Sequence, residues 1–243
     1  MAESGHVVNV NNLKKARDFA TGWGGKYQPS NSQLDVGKMT TLVTDAETQL
    51  DSVQVTKTPY RNATAAADDA FAGLSKLTVR VQKAAKAGGA PASFLDDLET
   101  PARKIKGLRA TPAVQDDPNT PVDESQQSVS ASQMSRTQRI EHLDEMRSLL
   151  ESQPLYKPNE NDLKTASLQA LSADLQTKVD TISTTFVPFS NALGSRDDVL
   201  YTNDANVYKT GTLFKTYVEA AFGRNSTEWN QVKSLEFRNY KRT

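Results

Sequence analysis

Asp68-Asp69 and Asp197-Asp198, two adjacent-aspartate pairs 129 positions apart, form the polar set with the clearest capacity for chemistry. Four carboxylates drawn together would hold a hard cation through oxygen ligands. Neighbouring residues on a helix point about 100° apart, however. One aspartate of each pair is therefore expected to meet a nearby arginine such as Arg61 or Arg196, and the other to meet water. That reading is the stronger one, and no metal ligand is assigned.

Other reactive side chains are scarce. The chain has two histidines, His6 and His142, and no cysteine, which removes thiol nucleophiles, disulfides and zinc ribbons. His6 falls in a terminus expected to fray. A carboxylate-bridged di-metal bundle requires Glu-x-x-His units, and Arg139 stands three residues before His142. Glu141 and Asp144 flank His142, yet no Gly-x-Ser-x-Gly elbow presents a serine. Gly22, Gly24 and Gly25 surround Trp23 without the Lys-Ser/Thr that a phosphate loop needs. The expectation is a chain that is not an enzyme, with no catalytic residue, no cofactor-binding residue and no cofactor.

Tyr27, Tyr60, Tyr156, Phe189, Tyr217, Phe222 and Trp229 are able to line a cavity between helices. Recurrence of Tyr27 at Tyr156 and of Tyr60 at Phe189 favours packing at bundle ends instead.

These residues sit in a chain that repeats itself. At an offset of 129, Tyr27-Gln28-Pro29 meets Tyr156-Lys157-Pro158, Leu34 meets Leu163, Leu42 meets Leu171, Pro59-Tyr60 meets Pro188-Phe189, and Arg109 meets Arg238, with no gap. Repetition of this kind dictates architecture before chemistry. Met39, Leu42, Ala46, Leu50 and Val53 step at helical spacing, and Leu168, Leu171, Leu175, Val179 and Ile182 occupy the same five positions. Ser30 with Gln33, and Asn159 with Asp162, are expected N-caps. Pro59 and Pro188 are expected to begin new segments, the first running from Tyr60 to about Ala87 and ending at Gly88-Gly89. In the second half the matching stretch is expected to break at Tyr201 to Asp204, then resume through Phe214 and Val218 to Gly223. Shorter helices follow at Ser93 to Leu108 and at Ser226 to about Leu235. Lead helices are expected at Val10 to Thr21 and at Ser135 to Ser152, the latter capped by Ser135 with Gln138.

The fold class expected is all-α: two pseudo-equivalent helical-bundle units from an internal duplication, packed together or in tandem. Residues 1–109 form the first unit with repeat core 27–109, and 134–243 form the second with repeat core 156–238. Residues 110–133, rich in Pro, Ser and Gln, read as a polar linker.

Twenty-nine basic residues balance 29 acidic ones, so no global field draws the chain to nucleic acid or to an anionic membrane. Lys14 to Arg17 and Arg238 to Arg242 are small basic clusters expected on a solvated helix face and a frayed tail. No apolar run approaches the roughly 20 residues of a membrane span, and Met1 to Asn12 does not read as a secretory leader. A cytoplasmic protein is the default expectation.

Ser130 to Ser135, Pro154 to Glu160, Arg196 to Tyr201, Lys215 to Val218, Phe222-Gly223 and Gln231 to Lys233 together resemble a group of uncharacterised all-helical, internally duplicated proteins of Bacteroidetes-type bacteria. The resemblance covers most of the second half and less of the first. It implies the order of the helices and brings no assigned function and no functional residues.

Two function classes remain. One is a non-enzymatic structural or interaction protein whose quasi-equivalent faces bind a protein, either copies of itself in a homo-oligomer or filament or another partner. The other is a helical bundle binding a small molecule or cation between the halves.

Overall fold

The structure, a computed structural model, describes residues 4–108 and 134–240. The expected linker 110–133 lies outside these. Among the described residues every regular element is helical. Eight α-helices run in the order α1 (Ser4–Trp23), α2 (Val36–Ala72), α3 (Leu74–Ala87), α4 (Ala92–Lys106), α5 (Arg136–Ser152), α6 (Thr165–Asp197), α7 (Val207–Phe222) and α8 (Thr227–Val232).

The chain divides into two compact units, and they are not the sequence halves. Unit 1 comprises residues 1–60 and 185–243; unit 2 comprises 61–184. The tandem division at 109 and 134 is thus replaced by one in which α2 and α6 each give one end to each unit. Helical periodicity in a sequence says which face of a helix is buried, not whose helix covers it.

In unit 1, α1 packs on α7, and α7 packs on α8. Its core holds Leu13, Met39, Val43, Leu200, Phe214, Val218 and Val232, all essentially inaccessible to solvent. In unit 2, α4 packs between α3 and α5. There Leu74, Val81, Leu98, Ile105, Leu143, Met146, Leu168 and Leu175 form the core. Burying a side chain of this size contributes about 1.5–3 kcal/mol, which is what holds such short helices in place.

The two prolines do not start helices. Pro59 lies inside α2 and Pro188 inside α6. An interior proline removes an amide donor and pushes away the carbonyl four residues back. Those carbonyls belong to Val55 and Thr184, both on exposed turns where water can satisfy them, and burial of both ends of each long helix carries it through. The break falls instead at Gly73, one residue wide, between α2 and α3. Glycine is the poorest helix former after proline.

Helix starts also differ from expectation. Short 3-10 turns, Ser32–Leu34 and Asn161–Leu163, precede α2 and α6 at an offset of 129. Asn31, rather than Ser30, caps the first through Gln33 N at 3.0 Å, and Glu160 stands before the second without a side-chain bond. Ser135 caps α5 through Gln138 N as the sequence predicts. The helix α1 begins at Ser4, a turn and a half before the expected Val10.

Each Tyr-x-Pro segment is locked the same way. Tyr27 Oη donates to Leu34 O at 2.8 Å, and Tyr156 Oη donates to Leu163 O at 2.6 Å. The tail after α8 is not frayed through Tyr240. Asn9 Nδ2 donates to Arg238 O at 2.6 Å while Arg238 N donates to Asn9 Oδ1 at 3.1 Å, and Asn12 donates to Glu236 O. Phe237 lies so close over Gly211 that a Cβ there would sit 2.3 Å from its ring.

Candidate functional site

The aspartate pairs are taken by arginines, each within its own unit. Asp197 in unit 1 accepts from Arg196 Nε at 2.9 Å and from a terminal guanidinium nitrogen at 2.5 Å. Asp68 in unit 2 accepts from Arg136 at 2.5 Å, so its partner comes from α5 and not from Arg61. Asp69 and Asp198 are exposed. Among the described residues no three His, Asp or Glu side chains come together. The candidate aromatics are packed: Tyr27 meets Tyr217 edge-on and tilts against Phe214, Trp23 stacks parallel to Phe214, and Tyr60 stacks on Phe189 at 5.5 Å.

Unit 1 instead contains a buried polar cluster beside a π-helical turn, Asp198–Thr202, closed by Asn203 N donating to Asp198 O. Such turns re-aim side chains and gather at functional sites. Here the turn places the Tyr201 hydroxyl 2.7 Å from His6 Nδ1 and 3.3 Å from Asn9 Nδ2. Asn206 donates to the carbonyls of Tyr201 and Asn203 and caps α7 through Lys209 N. Arg196 is completely buried. The histidine expected in a frayed end is therefore 4% exposed. Extending the stripe of Val10 and Leu13 back by four residues reaches His6 and Asn9, which is the signal that was available. The cluster is closed to solvent and ties α1, the π turn and the tail together.

Burial is the main cause of the tyrosine shifts. It pushes the Tyr201 phenol up to about 12, against the pull of Asn9 and Arg196. Burial, with Asp162 and Glu160 adding, brings Tyr156 to about 12. Burial, then Tyr217 and Asp35, raises Tyr27 as well. In the unfolded chain a tyrosine ionises near pH 10. A raised native value means that the folded state holds protons that the unfolded state has released. Stability is thus full below pH 10 and falls as pH rises from 10 towards 12. Spectrophotometric titration should show the phenols of Tyr27, Tyr156 and Tyr201 ionising only as the protein unfolds, and an ordinary titration of these three near pH 10 would contradict this.

A cavity of about 470 Å³ in unit 1 is lined by residues that include Tyr208, Lys215, Trp229 and Phe237. Its two cations, Lys215 and Arg238, are already engaged. Lys215 donates to the carbonyls of Lys233 and Leu235 at 2.9 Å and sits 6.0 Å over the Trp229 ring. Within the small basic clusters Lys14 pairs with Glu47, Arg17 with Asp18 and Arg238 with Glu236, while Lys241 and Arg242 lie outside the described residues.

The surface of unit 1 carries an apolar patch on α2 and α6. Val55 is 71%, Phe186 46% and Val187 56% exposed, and Pro59 and Pro188 are exposed beside them. Val55 and Pro59 share a helix face, and the Tyr60 ring lies 5.4 Å from that of Phe186. No described helix is long and apolar enough to cross a membrane. Comparison with protein-family models, curated proteins and solved structures gave no match.

Proposed function

We propose that this chain is an internally duplicated, non-enzymatic interaction protein that associates with copies of itself. The observation that carries the reading is the apolar patch of Val55, Pro59, Phe186 and Val187 on unit 1. Grouped exposed hydrophobes of this kind mark association surfaces, whereas singly scattered ones need no explanation. The duplication is supported by the matching 3-10 turns and tyrosine locks and by the ungapped offset. A patch built by both halves of the sequence suits a closed dimer, in which the same surface is used by both copies.

Light scattering coupled to size exclusion, across the micromolar range, tests this. The wild type is expected to form a dimer or larger closed oligomer. Phe186→Glu, at an exposed position that tolerates charge, should weaken association by at least about tenfold, equivalent to roughly 1.4 kcal/mol. Leu213→Glu, at an exposed apolar site on α7, should leave it unchanged. A wild type that is monomeric at every concentration overturns the proposal, as does a Phe186→Glu variant that assembles normally.

A further inference from the structure

Unit 2 contains a cavity of about 600 Å³ at the first turn of α5, walled by Phe71, Met134, Val179 and Ile182 and bearing Arg136 and Arg139. Volume in this range suits a small organic ligand. The two cations differ in one respect. Arg136 is already neutralised by Asp68. Arg139 meets no carboxylate among the described residues: its Nε has no partner, one terminal nitrogen makes a long 3.4 Å bond to Phe71 O, and the guanidinium carbon lies over the Phe71 ring, 5.3 Å from its centroid.

Three other arginines with little exposed side chain are paired with acids: Arg17, Arg147 and Arg196, whose side chains are 19%, 22% and 1% exposed, each have an acid within 3.5 Å. A half-buried cation without a counter-ion is unfavourable, and burial lowers the pKa of Arg139 accordingly. The cavity thus presents one uncompensated positive charge, apolar walls, and the positive end of a helix of 17 residues.

The origin of the space is visible at the 129 offset. At that offset Ser135 and Ala72 are the counterparts of His6 and Tyr201, whose side chains meet at 2.7 Å in unit 1. Two small residues leave the space open in unit 2. This comparison rests on the duplication; the charge imbalance at Arg139 does not.

We propose that the cavity binds an amphipathic monocarboxylate, with the carboxylate on the Arg139 guanidinium and an aliphatic or aromatic body against Phe71, Val179 and Ile182. A single free charge favours a monoanion over a phosphate ester, and a planar guanidinium matches a carboxylate in a paired hydrogen-bond geometry. The Phe71 ring adds a cation–π contact to the same guanidinium.

Isothermal titration calorimetry of the full chain with sodium octanoate and with 1-octanol tests this, because the two share an apolar body and differ in charge. Octanoate is expected to bind at least about tenfold more tightly than octanol. Arg139→Gln should abolish that preference, and Arg139→Lys should keep part of it. Ser183→Glu, which adds an acid at an exposed rim position, should weaken octanoate by a similar factor and decides the matter if Arg139→Gln does not fold. Arg103→Gln, at a partly exposed arginine outside the cavity that donates to Leu108 O, and Phe186→Glu on unit 1 should bind octanoate as the wild type does. Absence of octanoate binding, equal binding of octanol, or unaltered binding by Ser183→Glu overturns the proposal, whatever the oligomeric state proves to be.

Discussion

Phe214→Ala is expected to destabilise unit 1 by about 3–5 kcal/mol, the usual cost of emptying a closed aromatic site in a core. The ring is fully buried on α7. It lies parallel to Trp23, with an interplanar angle of 5° and centroids 6.0 Å apart, and 5.9 Å from Tyr27. Removing it strips one face from Trp23 and loosens the α1–α7 contact. Collapse around the hole is hindered, because Trp23 is also held by Phe19, Phe222 and a hydrogen bond to Gln231. Both tryptophans of the chain, Trp23 and Trp229, belong to unit 1, so denaturation followed by tryptophan fluorescence reads that unit. The fluorescence midpoint should fall steeply. A loss below about 1 kcal/mol would mean that the site refills and that the stack is not a fixed part of the core.

The helices were largely legible, because apolar residues spaced by three and four survive in every packed segment, as in Leu168, Leu175 and Val179 or Leu98, Ala102 and Ile105. Their partners were not. The stripe of α2 is continuous through Pro59, yet Met39 and Val43 serve one core and Phe71 the other, and nothing local in the sequence separates them. Pro59 and Pro188 do not end their helices, because the carbonyls they free are open to solvent, whereas Gly73, with no marked turn pattern around it, separates α2 from α3. The pairing of Arg196 with a neighbouring aspartate is readable from the local sequence, but its complete burial is not. Its counterpart at the offset is Ala67, itself completely buried. Following the repeat one step further would have placed Arg196 inside. The polar cluster of His6, Asn9 and Tyr201 depends on a π turn whose register no spacing rule announces.

Arg196 also gives the sharpest energetic contrast in the molecule. Arg196→Met keeps much of the apolar volume but leaves the Asp197 carboxylate, 14% exposed, without the guanidinium that binds it. Breaking a buried pair in this way costs about 3–5 kcal/mol, since a desolvated charge remains. Asp197→Asn removes one anionic acceptor from the guanidinium, whose side chain is 1% exposed, and is expected to destabilise the protein too. Removing both charges is a different matter. A neutral pair of similar shape has no desolvated ion to stabilise, so Arg196→Met with Asp197→Asn should be more stable than either single variant, with a coupling energy of roughly 1–3 kcal/mol. Arg196 also draws the Tyr201 phenol downward, so Arg196→Met should delay tyrosine ionisation further. Urea denaturation of the four proteins in the cycle, with a Tyr201→Phe background to remove that phenol, measures the coupling. Additive losses would show that Arg196 is held by its other contacts, and that the adjacent aspartate is an incidental neighbour.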